Sequence, residues 1–147
     1  YLEPGEAVAL NAGYLVSQVL DIVENGGVKI AILNTSAACH MPDVIEMPYT
    51  PPVLNKNQTD TGKYSYRLAG PTCLSGDIIG DYNFDEQLKT GDILVFGDMA
   101  IYTTCKNNTF NGMPLPDIYK MGADGTLTQL TAFGYQDFKK RLGYDTN

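Results

Sequence analysis

Histidine is nearly absent from this chain of 147 residues: the only one is His40, directly after Cys39. A cysteine hydrolase needs a thiol, an imidazole and an orienting group. The one imidazole of this chain lies beside Cys39, and neighbours in sequence rarely have the geometry of a nucleophile and its base. A dyad of His40 with Cys73 is therefore disfavoured. A zinc site is disfavoured too, because one histidine and no Cys-x-x-Cys pair supply too few ligands.

Long apolar runs are also lacking. No stretch of about 18 apolar residues could form a transmembrane helix, and no basic segment followed by an apolar stretch marks a signal peptide. The three cysteines, Cys39, Cys73 and Cys105, are an odd number without the spacing of a disulfide framework. We therefore expect free thiols, a cytoplasmic protein and no membrane partner.

Basic residues are outnumbered by acidic ones, 10 to 17, which gives a net charge of −7. This balance disfavours nucleic acid as a partner and suits a cationic small molecule. The length predicts a single domain with one core. Because the chain starts at Tyr1 and not at a methionine, we expect it to be one domain of a longer protein.

What is present is a series of strand-like segments between turns. Residues 7–35 are predicted to form a long hairpin around Asn25-Gly26-Gly27, since asparagine and glycine accept the positive φ of a tight turn. A helix over residues 14–24 is the alternative that apolar periodicity leaves open. Alternating side chains predict a further strand at Tyr64, Tyr66 and Leu68.

The remaining segments are short. Residues 41–57 are rich in proline and are predicted to be irregular. We predict a helical turn at 85–88, a buried strand at 93–96, a helix over 98–104 with Asp98 as its N-cap, a hairpin of 118–121 with 126–130, and a helix over 135–142. Six to eight strands with few helices predict a mainly β domain, a modified Greek-key β-barrel or sandwich.

The loop at residues 70–77 places Cys73 and Asp77 four residues apart among turn formers, between two predicted strands. Loops between strands contribute little to a core, so a thiol and an acid exposed there are candidates for function. A tight turn with a buried cysteine and a capping aspartate is the alternative.

Four motifs occur in a specific order: Glu3-Pro4-Gly5, then residues 70–77, 98–103 and 108–112. This pattern resembles the C-terminal half of the fold-type III pyridoxal-phosphate-dependent decarboxylases, to which alanine racemase is a more distant relative. Within that group, residues 2–7, 38–49 and 97–100 look like the carboxynorspermidine (carboxyspermidine) decarboxylases. The resemblance implies that residues 1–147 form the C-terminal β-domain, with residues 1–12 at the seam to a β/α barrel that carries the Schiff-base lysine and lies outside this chain.

The resemblance also implies pyridoxal 5′-phosphate as the cofactor, bound mainly by the barrel. Glu3 would face the pyridine nitrogen and keep it protonated. Gly5 would let the backbone approach the phosphate, and the hydroxyl of Tyr102 would reach the same group. Cys73 would act as the general acid that returns a proton to the substrate after CO₂ leaves.

The implied substrate is a cationic carboxylated polyamine. Asp77 resembles the acid that binds the distal amine across a dimer interface. Glu6, Asp43 and Glu46 would add negative charge, and Glu6 and Glu46 stand where related enzymes carry arginines.

The implied function is decarboxylation of carboxynorspermidine or carboxyspermidine to norspermidine or spermidine, with this domain inactive on its own. Phe110 resembles an aromatic at the interface of a homodimer. Cys39 and Cys105 are expected to be buried thiols, and His40 has no predicted role. The alternatives are another fold-type III amino-acid decarboxylase, of the diaminopimelate or ornithine type, and a non-catalytic β-barrel binding module.

Overall fold

The protein is described here by a computed structural model covering residues 1–58 and 61–144, so the last three residues of the predicted domain lie outside it. Within these ranges the chain forms seven strands and five short helices, which confirms a mainly β fold. The elements are α1 (Glu6–Ala9), β1 (Leu15–Asn25), β2 (Val28–Leu33), α2 (Ala37–His40), α3 (Asp43–Glu46), β3 (Tyr64–Ala69), β4 (Ile78–Phe84), β5 (Ile93–Phe96), α4 (Thr103–Lys106), a 3₁₀ turn (Phe110–Gly112), β6 (Ile118–Met121), β7 (Leu127–Thr131) and α5 (Tyr135–Arg141).

Five strands form one sheet in the order β4-β3-β2-β1-β5. All its neighbours are antiparallel except β2 and β3, which run parallel. The predicted hairpin of β1 and β2 is confirmed, and its turn uses Gly26 and Gly27 with φ of 58° and 78°. The alternative helix over residues 14–24 is wrong, because buried and exposed side chains alternate along the first half of β1.

The segment between residues 53 and 58 joins the two edges of this sheet. Val53 forms a β-bridge with Phe96 on the edge strand β5, and Gln58 forms one with Phe84 on the opposite edge strand β4. Five residues reach at most about 18 Å, so the two edges must approach each other closely. The sheet is therefore curled into a partial barrel, in agreement with the predicted fold class.

The core fills the inside of this curled sheet. Tyr82 stacks on Phe84 with ring centroids 6.0 Å apart, and Tyr66 lies 6.3 Å from the same ring. Apolar side chains from all five strands complete it, among them Val19, Leu33, Leu68, Ile79, Leu94 and Phe96. Ala37 of α2 belongs to this core, and Cys39 and His40 of the same helix are buried as well.

Several local predictions are corrected. Residues 6–9 form the helix α1 and not the start of a strand, because an alanine-rich segment after Pro4 favours a helical turn. Residues 85–88 contain no helix. The irregular stretch at 41–57 does contain one helical turn, α3.

The helix predicted over residues 98–104 starts later, at Thr103. Asp98 and Tyr102 both have left-handed backbone angles, with φ of 55° and 54°, and a right-handed helix cannot pass through either residue. Asp98 caps no helix; its Oδ1 accepts the backbone N–H of Asn11 at 2.8 Å. This hydrogen bond joins the N-terminal segment to the segment after β5.

The C-terminal part agrees with the sequence-based expectation. β6 and β7 form the second hairpin, and α5 is the last helix. The side chains of β7 are all exposed, so the hairpin stands away from the core. Among the residues described, no helix is long and apolar enough to cross a membrane.

Candidate functional site

Cys73 lies at the exposed tip of the loop between β3 and β4. The loop is closed at its base, where the Gly70 N–H donates to the Asp77 carbonyl at 2.8 Å. The thiol faces a second loop, and its Sγ lies 3.9 Å from Oδ1 of Asn111. The structure thus favours the exposed-thiol interpretation of this loop over the buried one.

Asp77 is buried, and the expectation of an exposed acid is wrong: only 3% of this residue is exposed. Its Oδ1 accepts from Ser36 Oγ at 2.9 Å and from the Ala38 N–H at 3.3 Å. Its Oδ2 accepts from Thr72 Oγ1 at 2.6 Å and from the Thr72 N–H at 3.2 Å. Four donors satisfy both oxygens, so a substrate ammonium could bind here only by breaking bonds that order the Cys73 loop.

Gly70 is required by this packing. A Cβ at Gly70 would lie 2.3 Å from Oδ2 of Asp77 and 2.7 Å from Cα of Ser36. Neither neighbour can yield, because one is a fully hydrogen-bonded carboxylate and the other is backbone. The small residue at the start of the loop is therefore what lets Asp77 reach its partners.

The second loop carries Phe110 and Asn111. Phe110 is about half exposed. Asn111 has a φ of 59°, a left-handed conformation that asparagine tolerates better than most residues. A surface cleft of about 570 Å³ lies between this loop and α5, and Phe110, Asn111 and Phe138 line it. Cys73 and Phe110 are thus on neighbouring loops, since Asn111, which follows Phe110, lies against the Cys73 thiol.

His40 is buried beneath both loops. Its Nδ1 lies 2.8 Å from Oγ1 of Thr35 and 3.1 Å from the backbone N of Ser36, and its Nε2 lies 2.9 Å from the carbonyl oxygen of Pro114. Burial lowers the pKa of His40 below its usual value. The sequence suggested no role for this residue, and the structure places it in a polar network.

Asp43 and Glu46, both on α3, bind the same lysine. Nζ of Lys106 lies 2.5 Å from Oδ1 of Asp43 and 2.8 Å from Oε2 of Glu46. The hydrogen bonds to Asp43 and Glu46 raise the pKa of Lys106, so it stays charged. The two predicted substrate acids are therefore together, but they already hold an ammonium group from the chain itself.

Gly5 lies against Ile101, the residue before Tyr102, where the N-terminal segment packs on residues 98–101. A Cβ at Gly5 would lie 3.2 Å from Cδ1 of Ile101, the neighbour of Tyr102. The Met99 N–H also donates to the Gly13 carbonyl at 2.9 Å. Glu3 precedes this contact and is exposed, and Glu6 is exposed on α1.

These residues fit a phosphate-bearing cofactor approaching from outside the domain. The Tyr102 side chain is about half exposed, and its backbone has a positive φ of 54°. Glu3, Gly5 and Tyr102 can all be reached by a ligand. Across residues 1–58 and 61–144, no group of three or more His, Cys, Asp or Glu is arranged to hold a metal ion.

The other two cysteines differ from each other. Cys39 is buried as expected, and burial raises the pKa of its thiol. Cys105 is exposed, so that expectation is wrong; α4 is a single turn at the surface, and the thiol lies 3.2 Å from the Tyr102 carbonyl oxygen. Cys73 is therefore one of two exposed thiols and the one that adjoins Asn111.

Residues 7–100 match the family described as "Pyridoxal-dependent decarboxylase, C-terminal sheet domain". The chain belongs to this family. It is 45% identical over 96% of its length to the carboxynorspermidine/carboxyspermidine decarboxylase of Campylobacter jejuni, of which it covers 40%. It is 44% identical over 97% of its length to the carboxyaminopropylagmatine decarboxylase of a Synechocystis strain, of which it covers 37%.

The fold agrees with this family. The chain matches the crystal structure of carboxynorspermidine decarboxylase complexed with norspermidine from C. jejuni with a TM-score of 0.87 and 45% identity, covering 96% of this chain and 41% of that one. The family member described here thus spans about two fifths of the length of these relatives.

Sequence reasoning missed the partners of the predicted residues. Lys106 and Asn111 were not singled out, and each lies against a residue that was. The dipeptide Asn111-Gly112 carried one usable signal, since it favours left-handed backbone. Nothing in the sequence indicated that Lys106 would reach across to Asp43, 63 residues away.

Proposed function

We propose that this domain completes the active site of a pyridoxal-phosphate-dependent decarboxylase acting on a carboxylated polyamine such as carboxynorspermidine or carboxyspermidine. The observation that carries this proposal is the 44% and 45% identity, over nearly the whole chain, to decarboxylases of carboxyaminopropylagmatine and of carboxynorspermidine/carboxyspermidine. Because the chain spans about two fifths of those relatives, we infer that a barrel domain with the Schiff-base lysine supplies the rest of the site. This domain alone is then inactive.

Pyridoxal phosphate, when bound, would supply an electron sink for the decarboxylation. Glu3 would keep its ring nitrogen protonated, which would make that sink more effective. Gly5 and Tyr102 would hold the phosphate from the side of this domain. The exposure of all three residues and the contact of Gly5 with Ile101 support this assignment.

Cys73 acts as the proton donor. After CO₂ leaves, the Sγ–H bond breaks, its proton goes to the substrate carbon that lost the carboxylate, and water returns a proton to the thiolate. The exposed position of Cys73 at a loop tip supports this role. The buried Asp77 orders this loop, and we assign it no contact with the substrate amine.

The substrate ammonium groups are bound by Glu6, Asp43 and Glu46. Burying an unpaired ammonium is costly, so a cationic substrate needs carboxylates near its far end. Asp43 and Glu46 already bind the ammonium of Lys106, which shows that this pair can hold such a group. The substrate amine then competes with Lys106 for the pair.

The proposal includes a homodimer and a location in the cytoplasm. The half-exposed Phe110 beside the cleft against α5 supports an interface at this face. The three free cysteines agree with a reducing compartment.

The test is Cys73→Ala in the full-length protein, with Cys105→Ala as the control at the other exposed thiol. We expect Cys73→Ala to lower kcat by about 10²-fold or more and to reduce the share of product protonated at the correct carbon. Cys105→Ala should change neither quantity. Unchanged kinetics and product in Cys73→Ala would remove Cys73 from the mechanism, and wild type that releases no CO₂ from any carboxylated polyamine would overturn the function.

The two alternatives give different results in the same assays. A diaminopimelate or ornithine decarboxylase would prefer those amino acids over carboxylated polyamines. A binding module would show neither CO₂ release nor the visible absorption of bound pyridoxal phosphate.

A further inference from the structure

The single helical turn α2, Ala37–His40, lies between the two loops that carry Cys73 and Asn111. Each loop is attached to α2 or to the residues just before it. The loops meet at their tips, where Sγ of Cys73 lies 3.9 Å from Oδ1 of Asn111. The separation of these two atoms therefore depends on how both loops are held by α2.

The Cys73 loop is attached through Ser36, the N-cap of α2. Ser36 Oγ accepts the Cys39 N–H at 3.1 Å and donates to Oδ1 of Asp77 at 2.9 Å. The other oxygen of Asp77 holds Thr72, which directly precedes Cys73. A chain of three hydrogen bonds thus runs from the helix to the residue next to the thiol.

The Asn111 loop is attached at both of its ends. At the first end, the Asn108 N–H donates to the Cys39 carbonyl at 3.0 Å and its side chain donates to the Ala38 carbonyl at 2.8 Å. At the second end, His40 binds the carbonyl of Pro114. Phe110 and Asn111 lie between these two attachments.

The hydrogen bonds of His40 define its tautomer. The Ser36 backbone N–H can only donate, so Nδ1 of His40 must accept and carries no proton. Nε2 then carries the proton and donates it to Pro114, whose carbonyl oxygen lies 2.9 Å away. His40 thus joins the start of α2 to the far end of the Asn111 loop.

We propose that His40 is a positioning residue, which holds the Asn111 loop against Cys73 through its bond to Pro114 and so keeps the thiol directed at the reacting carbon. The inference rests on the proposed role of Cys73 as proton donor and extends it to a residue buried in the core. Proton transfer is sensitive to small displacements of the donor. Without the bond to Pro114, the loop keeps its attachments through Asn108 and through Phe110, whose carbonyl accepts from Cys39 Sγ at 3.5 Å. The stretch from Asn111 to Pro114 is then free to shift relative to Cys73.

Two substitutions of His40 separate its two bonds. His40→Asn keeps an acceptor near the position of Nδ1 but is too short to reach Pro114. His40→Gln keeps a donor near the position of Nε2 and retains the bond to Pro114. Asn111→Gly is an independent variant, since glycine accepts the left-handed backbone while the side chain facing Cys73 is removed.

The measurements use the full-length protein. The first is the rate at which iodoacetamide alkylates Cys73, followed on its own peptide by mass spectrometry in the absence of substrate. The second is the share of turnovers that give the correctly protonated amine. We expect His40→Asn and Asn111→Gly to raise the alkylation rate by about two- to tenfold, the factor for loss of one ordinary hydrogen bond, and to lower the share of correct product. His40→Gln should stay close to wild type.

Each other outcome contradicts the inference. If His40→Gln behaves like His40→Asn, the bond to Pro114 is not what matters. If His40→Asn and Asn111→Gly both keep the wild-type alkylation rate and product share, His40 only stabilises the fold. If His40→Asn does not fold, a wild-type alkylation rate in Asn111→Gly contradicts the inference, because the Asn111 loop then does not restrict Cys73. The alkylation rate needs no turnover, so a failure of the proposed reaction is distinguishable from a failure of this inference.

Discussion

Tyr66 and Tyr82 bury two phenol groups in the core but differ in how each hydroxyl is satisfied. Both residues are 2% exposed. The Tyr82 hydroxyl donates to the Pro51 carbonyl at 2.7 Å and so ties the irregular segment after α3 to the sheet. The Tyr66 hydroxyl has no hydrogen-bond partner among the described residues. A buried, unpaired hydroxyl costs stability, whereas the aromatic rings contribute to packing in both cases.

This difference predicts opposite effects of the same substitution. Tyr66→Phe should raise the free energy of unfolding by about 1 kcal/mol, because it removes an unpaired polar group and leaves the ring in place. Tyr82→Phe should lower it by about 1 kcal/mol, because the Pro51 carbonyl loses its donor. Urea unfolding of the two variants beside wild type measures both changes. A loss of stability in Tyr66→Phe would show that its hydroxyl is bonded in solution.

At the scale of elements, α3 and α4 are joined by Lys106, which binds an acid at each end of α3. Its Nζ also lies 5.2 Å from the centroid of the Tyr102 ring. The group proposed to hold the phosphate and the acids proposed to hold the substrate therefore share one cation. A change at Lys106 tests whether those acids bind substrate.

Lys106→Gln should lower KM for a carboxylated polyamine by about two- to fivefold, the range expected for an exposed ion pair. The substrate ammonium then no longer competes with an internal one for Asp43 and Glu46. Arg67→Gln is the matched control, because Arg67 forms an exposed ion pair with Asp81 on the sheet, and it should leave KM unchanged. Steady-state kinetics of the full-length variants decide. An unchanged or higher KM in Lys106→Gln would mean that these acids bind only Lys106.

The strands were predictable because their information is local. Alternation at Tyr64, Tyr66 and Leu68 and the turn at Gly26 and Gly27 specify β3 and the first hairpin without distant partners. The segment 98–104 was not predictable in this way. Its helical pattern was overridden by the bond of Asp98 to the backbone of Asn11, 87 residues away.

The same contrast between local sequence information and distant contacts holds for the candidate site. The exposed thiol of Cys73 could be predicted from a loop of turn formers between two strands. The burial of Asp77 could not, because it depends on Ser36, 41 residues earlier in the chain. Residue type indicated which side chains carry chemistry, whereas tertiary contacts determined which of them face a ligand and which hold the loops.

On the scale of the whole molecule, the buried network around α2 makes stability depend on pH through one group. His40 is the only histidine of the chain, and no other type of side chain has an ordinary pKa between about 5 and 8. Burial lowers the pKa of His40 in the folded chain. The unfolded chain therefore binds a proton more readily than the folded one.

This difference in proton binding predicts that mildly acidic pH destabilises the folded 147-residue chain. In the unfolded chain the pKa of His40 is about 6.5. Above that pH, His40 is neutral in both states and makes its full contribution to the free energy of unfolding. As the pH falls below that value, the unfolded state takes up a proton that the folded state excludes, so the free energy of unfolding falls by up to about 1.4 kcal/mol per pH unit. Urea unfolding at pH 7.5, 6.5 and 5.5 should show this decline in wild type. The His40→Gln variant has no imidazole to titrate, so the decline over the same pH range should disappear. A decline that persists in this variant would assign the pH dependence to the carboxylates instead.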